Sequence, residues 1–320
     1  MTDELLCSEG RTRIYPIVYP DIWDFYQKSK ASYWVPEEVD LSSDPTDWDK
    51  LDKDEQHFLG MVLAFFANSD LIVNENLDSD FTSLVQVPEA KLVYHYQTMM
   101  EDIHTTQYQL LIEAVIKNND LKSYYYNSVY DNPSIKAKAN WAKKWIRDGS
   151  WVQRLLAFSI VEGIFFSASF CSIFWVKKRG LCKGLGQSNE FIARDEGMHR
   201  DFAILLYTRY VRNKLPVSQV EQMIREAVEV ESLFVNECLP YDLLGMNKSL
   251  MNQYVQFVAD HLSLGLINKQ IYGTANPFSW MNLISMEGKT NFFEKKVSAY
   301  GRQATLVDQS ENMVSFEADF

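Results

Sequence analysis

Glycine and proline are scarce in this chain, 13 and 9 of 320 residues. Many short strands joined by tight turns would need more of both, so long helices are favoured. Cysteine is scarcer still. Cys7, Cys171, Cys182 and Cys238 form no Cys-x-x-Cys pair, which argues against a disulfide framework and predicts reduced thiols in a cytoplasmic protein. Basic charge is also lacking: 31 Lys and Arg stand against 43 Asp and Glu, a net charge of −12. Nucleic-acid binding needs the opposite balance. Met1 to Gly10 is acidic and has no apolar core, so no secretory signal is expected. Without one, the sequon Asn247-Lys248-Ser249 reads as chance. No internal repeat, low-complexity block or long linker interrupts the chain.

What is present is enough apolar material, 47%, to fill a globular core. One run, Leu155 to Val176, is apolar except for serines, one glycine, one cysteine and Glu162. It has the length of a membrane span. It fits a buried central helix equally well, and with no second span beside it no membrane is expected. Pro16, Pro20, Pro36 and Pro45 break any long helix in the first 50 residues. Beyond them helical patterns are predicted over Lys53–Asn76, Glu89–Lys117, Ser134–Arg147, Trp151–Lys178, Ser188–Asn213, Ser218–Glu237 and Ser249–Lys269. Long helices with short connections predict an all-α bundle. We expect one domain over residues 1–300 and a flexible tail over 301–320, where no helical apolar stripe is found.

The informative residues are acids on inward stripes. Leu59, Val62, Phe66 and Val73 recur at helical spacing, and Asp70 continues their stripe. Leu155, Phe158, Phe166 and Phe170 define a second face, with Glu162 in its middle. A buried carboxylate is costly unless it is protonated, paired or bound to a metal. Neither stripe offers Arg or Lys three or four residues away. Two other helices carry Glu101-Asp102-Ile103-His104 and Glu196-Gly197-Met198-His199, the two Glu-x-x-His sequences in the chain. Residues three apart share a helix face, so each pair can grip an ion from one side. A single such pair reads as an exposed acid beside an ordinary histidine. Two pairs with two lone buried acids match the general layout of ferritin-like di-iron and di-manganese bundles. The candidate ligands are Asp70, Glu101, His104, Glu162, Glu196 and His199. Four carboxylates and two imidazoles suit iron or manganese over zinc–thiolate chemistry.

Tyr108 lies four residues after His104 and seven after Glu101, on the same face. Alone among 17 tyrosines it reads as packing. Beside Phe166, Phe170 and Ile192 it would sit in an apolar pocket able to shield a phenoxyl radical from water and reductants.

Longer motifs carry a family resemblance. Phe66-Ala67-Asn68-Ser69-Asp70-Leu71-Ile72-Val73-Asn74-Glu75-Asn76, Val161-Glu162-Gly163-Ile164-Phe165-Phe166-Ser167, Ala193-Arg194-Asp195-Glu196-Gly197-Met198-His199 and Gly288-Lys289-Thr290-Asn291-Phe292-Phe293-Glu294 resemble those of the eukaryotic-type class I ribonucleotide reductase small subunit. The resemblance runs from about residue 15 to Phe320, with no departure at a ligand or at the tyrosine. It implies a pair of reduced iron ions that react with O2 and oxidise Tyr108 to a stable radical, the iron ending as an oxo-bridged ferric pair. It implies transfer of that radical to a large subunit that reduces ribonucleoside diphosphates to deoxyribonucleotides. By motif match Trp34 and Asp195, with His104, form the transfer path, and Tyr300 hands the radical across the subunit boundary. Taken alone, Trp34 reads as a core aromatic, Arg194 as a surface ion pair and Tyr300 as a terminal residue. The tail Ser315-Phe316-Glu317-Ala318-Asp319-Phe320, with two aromatic anchors, is expected to dock on the large subunit. A homodimer or heterodimer of small subunits is also implied. Two other readings share part of the pattern. A ferroxidase or other di-iron oxidase needs the six ligands but not Tyr108, Trp34 or the tail. A non-catalytic reductase paralogue is expected to lose ligands or the tyrosine.

Overall fold

The structure, a computed structural model, describes residues 4–8, 10–76, 82–239 and 245–281, with the side chains at 68–76, 129, 130, 146 and 147 excepted. Among the described residues there is no strand, and nine helices have twelve residues or more. They are α1 (Pro20–Ala31), α2 (Lys53–Asn76), α3 (Pro88–Val115), α4 (Asn119–Asp131), α5 (Pro133–Asp148), α6 (Trp151–Lys178), α7 (Lys183–Arg209), α8 (Val217–Cys238) and α9 (Lys248–Ile267). The chain divides into two units, Met1–Phe278 and Ser279–Phe320. All nine helices belong to the first. The boundary expected at residues 300 and 301 lies outside the described residues.

Local chemistry explains most helix ends. Pro20, Pro88 and Pro133 open α1, α3 and α5, where a missing N–H costs no helical hydrogen bond. Pro20 thus opens a helix of 12 residues within the first 50, where the four prolines rule out a long one. Asn118, Asn132 and Asn247 cap α4, α5 and α9 through their side chains, and Ser150 with Gln153 forms a capping box on α6. Helix α4 had not been anticipated, and α7 begins five residues before the expected Ser188. Its first turn is capped from a distance: the Asp44 carboxylate accepts from the Gly184 and Leu185 amides at 2.9 and 2.6 Å. A Cβ on Gly184 would lie 2.6 Å from the Asp40 carbonyl oxygen, so only glycine lets these segments approach.

The core is built where α2 packs on α3 and where α6 lies among α7, α8 and α9. A contiguous, strongly apolar 18-residue stretch of α6 is entirely buried inside the protein, so of the two readings of that run the central core helix is the one observed. Helix α6 is not uniform. Val161–Phe165 forms a π-turn, a wider coil that adds one residue to the turn. Glu162 sits in it.

Candidate metal centre

Helix α3 presents Glu101, His104 and Tyr108 on one buried face. The π-turn of α6 supplies Glu162, and α7 supplies Asp195, Glu196 and His199, all buried. Ligand atoms of Glu101, Glu162, Glu196 and His199 lie within 4.8 Å of one another. His199 Nδ1 is 2.9 Å from Glu101 Oε1, 3.5 Å from Glu196 Oε2 and 4.0 Å from Glu162 Oε1. His104 Nδ1 faces the same cluster, 2.9 Å from Glu196 Oε1 and 3.3 Å from Glu101 Oε2. Asp70 is on α2, and its side chain lies outside the described residues.

These groups crowd to ion-pair distance, yet several of their atoms lack an aligned hydrogen bond. Glu101 Oε1, Glu162 Oε2, both Glu196 oxygens and His199 Nδ1 are buried with no hydrogen bond among the described residues. Left that way, several such groups would be costly. One neighbour that sequence reasoning missed is Gln97, whose Nε2 donates to Glu162 Oε1 at 2.6 Å. Its position one turn before Glu101 was the available signal.

Burial and charge act in opposite directions here. Burial raises Glu162 well above its ordinary value, and the neighbouring Glu196 and Glu101 charges add to that rise. Burial also raises Glu101, but His199 and then His104 outweigh it and bring the carboxyl down to about 2. Burial depresses both imidazoles. The carboxylates around them (Asp195, Glu101 and Glu196 for His104; Glu101 and Glu196 for His199) lift both well above the usual histidine value.

A line of polar contacts leaves the cluster. His104 Nε2 lies 3.2 Å from Asp195 Oδ2, and the same oxygen accepts from Trp34 Nε1 at 2.8 Å. The Trp34 and His104 rings are near parallel, 19° apart with centroids at 6.1 Å. Arg194 grips the other Asp195 oxygen at 3.0 and 2.8 Å and donates to the Ser32 carbonyl at 2.7 Å. Burial raises Asp195, but the Arg194 charge and the His104 and Trp34 hydrogen bonds hold it below the usual carboxylate range.

Tyr108 is buried in an aromatic pocket. Its ring stacks on Phe66 at 4.5 Å with 2° between planes. Phe66 in turn meets Phe170 at 4.8 Å and Phe166 at 5.5 Å. The structure thus brings together five of the six expected ligand side chains, the tyrosine pocket, Trp34 and Asp195. Tyr300 and Ser315–Phe320 lie outside the described residues.

A helical bundle whose core gathers carboxylates and histidines from separate helices defines a class: the ferritin-like carboxylate proteins. Comparison with known proteins narrows it. The family model described as "Ribonucleotide reductase, small chain" matches residues 11–277. The chain is 52% identical over 308 residues to a ribonucleoside-diphosphate reductase small subunit of Dictyostelium discoideum, covering 95% of this chain and 91% of that one. It is 49% identical over 322 residues to ribonucleoside-diphosphate reductase subunit M2 of Rattus norvegicus, covering 99% and 82%. Among solved structures, the ribonucleotide reductase Rnr4 homodimer of Saccharomyces cerevisiae matches with a TM-score of 0.81 and 34% identity over 93% of each chain. The R2 subunit of Clostridium botulinum shares the fold, with a TM-score of 0.77 at 20% identity, covering 83% of this chain and 88% of that one. The chain belongs to the ribonucleotide reductase small-chain family, and its activity is that of the small subunit of a ribonucleoside-diphosphate reductase, an oxidoreductase.

Proposed function

We propose that Asp70, Glu101, His104, Glu162, Glu196 and His199 hold two iron ions that convert Tyr108 to a stable radical, which then passes to the large reductase subunit. The observation that carries this reading is the set of buried ligand atoms without hydrogen bonds, converging from three helices. Their chemistry fits the group: hard carboxylate oxygens suit iron, and four carboxylates offset most of the charge of two such ions. The geometry of His104 supports it too. Asp195 is positioned to accept the Nε2 proton, which leaves the Nδ1 lone pair facing the carboxylates.

When bound, the iron pair and O2 supply the oxidant that takes an electron and a proton from a phenol. The chain's own residues do the rest. Phe66, Phe166 and Phe170 keep water and reductants from the Tyr108 ring. Asp195 joins Trp34 to His104 by hydrogen bonds, and Arg194 keeps its carboxylate ionised, so proton and electron can move together along Trp34, Asp195 and His104. Tyr300 continues the path toward the large subunit, and Ser315–Phe320 docks there. Pairing with a second small subunit is supported by the homodimer of the yeast relative. The four free cysteines support a reducing, cytoplasmic setting.

The test is reconstitution of metal-free protein with ferrous iron and O2. Wild type should bind two irons per chain and show a tyrosyl electron paramagnetic resonance signal. Tyr108→Phe should bind the same iron, show no signal and support no nucleotide reduction with the large subunit. Turnover by Tyr108→Phe would refute the role of Tyr108.

A further inference from the structure

Outside the cluster, the described core holds one further buried ion pair, and it lies against the π-turn. Lys138 of α5 and Glu231 of α8 are both buried, with Nζ 2.6 Å from Glu231 Oε2. The same ammonium donates to the Phe165 carbonyl oxygen at 2.8 Å. It lies 3.8 Å from the centre of the Phe65 ring and 3.7 Å from that of Phe234.

Two physical points make this arrangement more than a stable packing. Burying two charges costs more desolvation than their attraction commonly returns, and apolar residues of similar volume often serve stability as well or better. The pair therefore needs another explanation. A π-turn bonds i to i+5, so the junction where the α-helix resumes has backbone groups out of step with the ladder. Phe165 is the last residue of the turn. Lys138 supplies a donor to its carbonyl oxygen at that junction, and Glu231 balances the ammonium charge. Glu162 shares the five-residue turn with Phe165.

We propose that Lys138, with Glu231 as its counter-charge, is a positioning residue that holds the π-turn in the register that aims Glu162 at the metal centre. This inference rests on the reading of Glu162 as a ligand. An ammonium suits the task because it has three donors on a long stem. It can serve Glu231 and the Phe165 carbonyl at once, while two aromatic faces stabilise its charge.

The experiment is a Co(II) titration of metal-free full-length protein followed by absorbance, with thermal denaturation measured in parallel. Lys138→Met removes the donor to Phe165, whereas Glu231→Gln keeps it. Both leave a buried charge without its partner, so both should lower the melting temperature. Co(II) binding should separate them: about 10- to 100-fold weaker in Lys138→Met, as for loss of a group that orients a ligand, and within about twofold of wild type in Glu231→Gln. The double variant K138M/E231L should recover the melting temperature but not the affinity. If affinity followed stability across the set, or if Lys138→Met and Glu231→Gln weakened Co(II) equally, the positioning role would be overturned. If K138M/E231L does not fold, the two single variants still decide it. Failure of wild type to bind Co(II) would instead overturn the metal reading beneath it.

Discussion

Phe66→Ala tests whether the Tyr108 pocket protects the phenol or merely fills space. Phe66 is fully buried and meets the rings of Tyr108, Phe166, Phe170 and Phe65. Truncating such a residue costs about 3–5 kcal/mol in lost transfer energy and cavity. The near-parallel stack on Tyr108 places it toward the upper end, since such a pair adds about 1 kcal/mol beyond area. A unit this size loses about 2 °C of melting temperature per kcal/mol, so a fall of ~8 °C is expected. Phe66→Leu keeps most of the apolar volume and should cost only about 1–2 kcal/mol. The radical provides the second readout. With ascorbate as a small hydrophilic reductant, the tyrosyl signal of Phe66→Ala should decay at least tenfold faster than wild type, on the order of a 1.4 kcal/mol lower barrier to access. Phe66→Leu should remain close to wild type. If Phe66→Ala folds, takes up iron and holds its signal as long as wild type, exclusion by this ring is refuted.

Other perturbations reach the remaining links. Asp195→Asn keeps an acceptor for the Trp34 indole but removes the charge between Trp34 and His104. Tyr108 oxidation should survive, and nucleotide reduction with the large subunit should fall by on the order of 10²-fold, as for loss of a proton-carrying group. Unchanged turnover would remove Asp195 from the path. Deleting Ser315–Phe320 should abolish binding to the large subunit, read by sedimentation, while the radical still forms; retained binding would sink the docking proposal.

Much of the fold was legible because its signals are local. Helix α2 was expected over Lys53–Asn76 and is observed there. Acids at its start and an apolar stripe along it are short-range features that chain neighbours decide. Helix α4 escaped notice because its tyrosines and asparagines lack a strong apolar period, and its Asn118 cap shows only in three dimensions. The start of α7 was misjudged because its cap is Asp44, 140 residues away in sequence.

The candidate centre divides the same way. Glu101 with His104 and Glu196 with His199 could be paired from sequence alone, because spacing of three residues puts two side chains on one helix face whatever surrounds them. That an acid on an apolar stripe demands compensation was equally legible at Glu162. What compensates it was decided only by packing. Gln97 on Glu162, the Trp34–Asp195–His104 line and the Lys138–Glu231 pair all join residues from different elements or different turns. The π-turn was invisible too, since one extra residue in a helix leaves no mark on composition. Periodicity records which face of a helix turns inward. Which groups meet there depends on how the helices pack, and chain spacing carries no information about that.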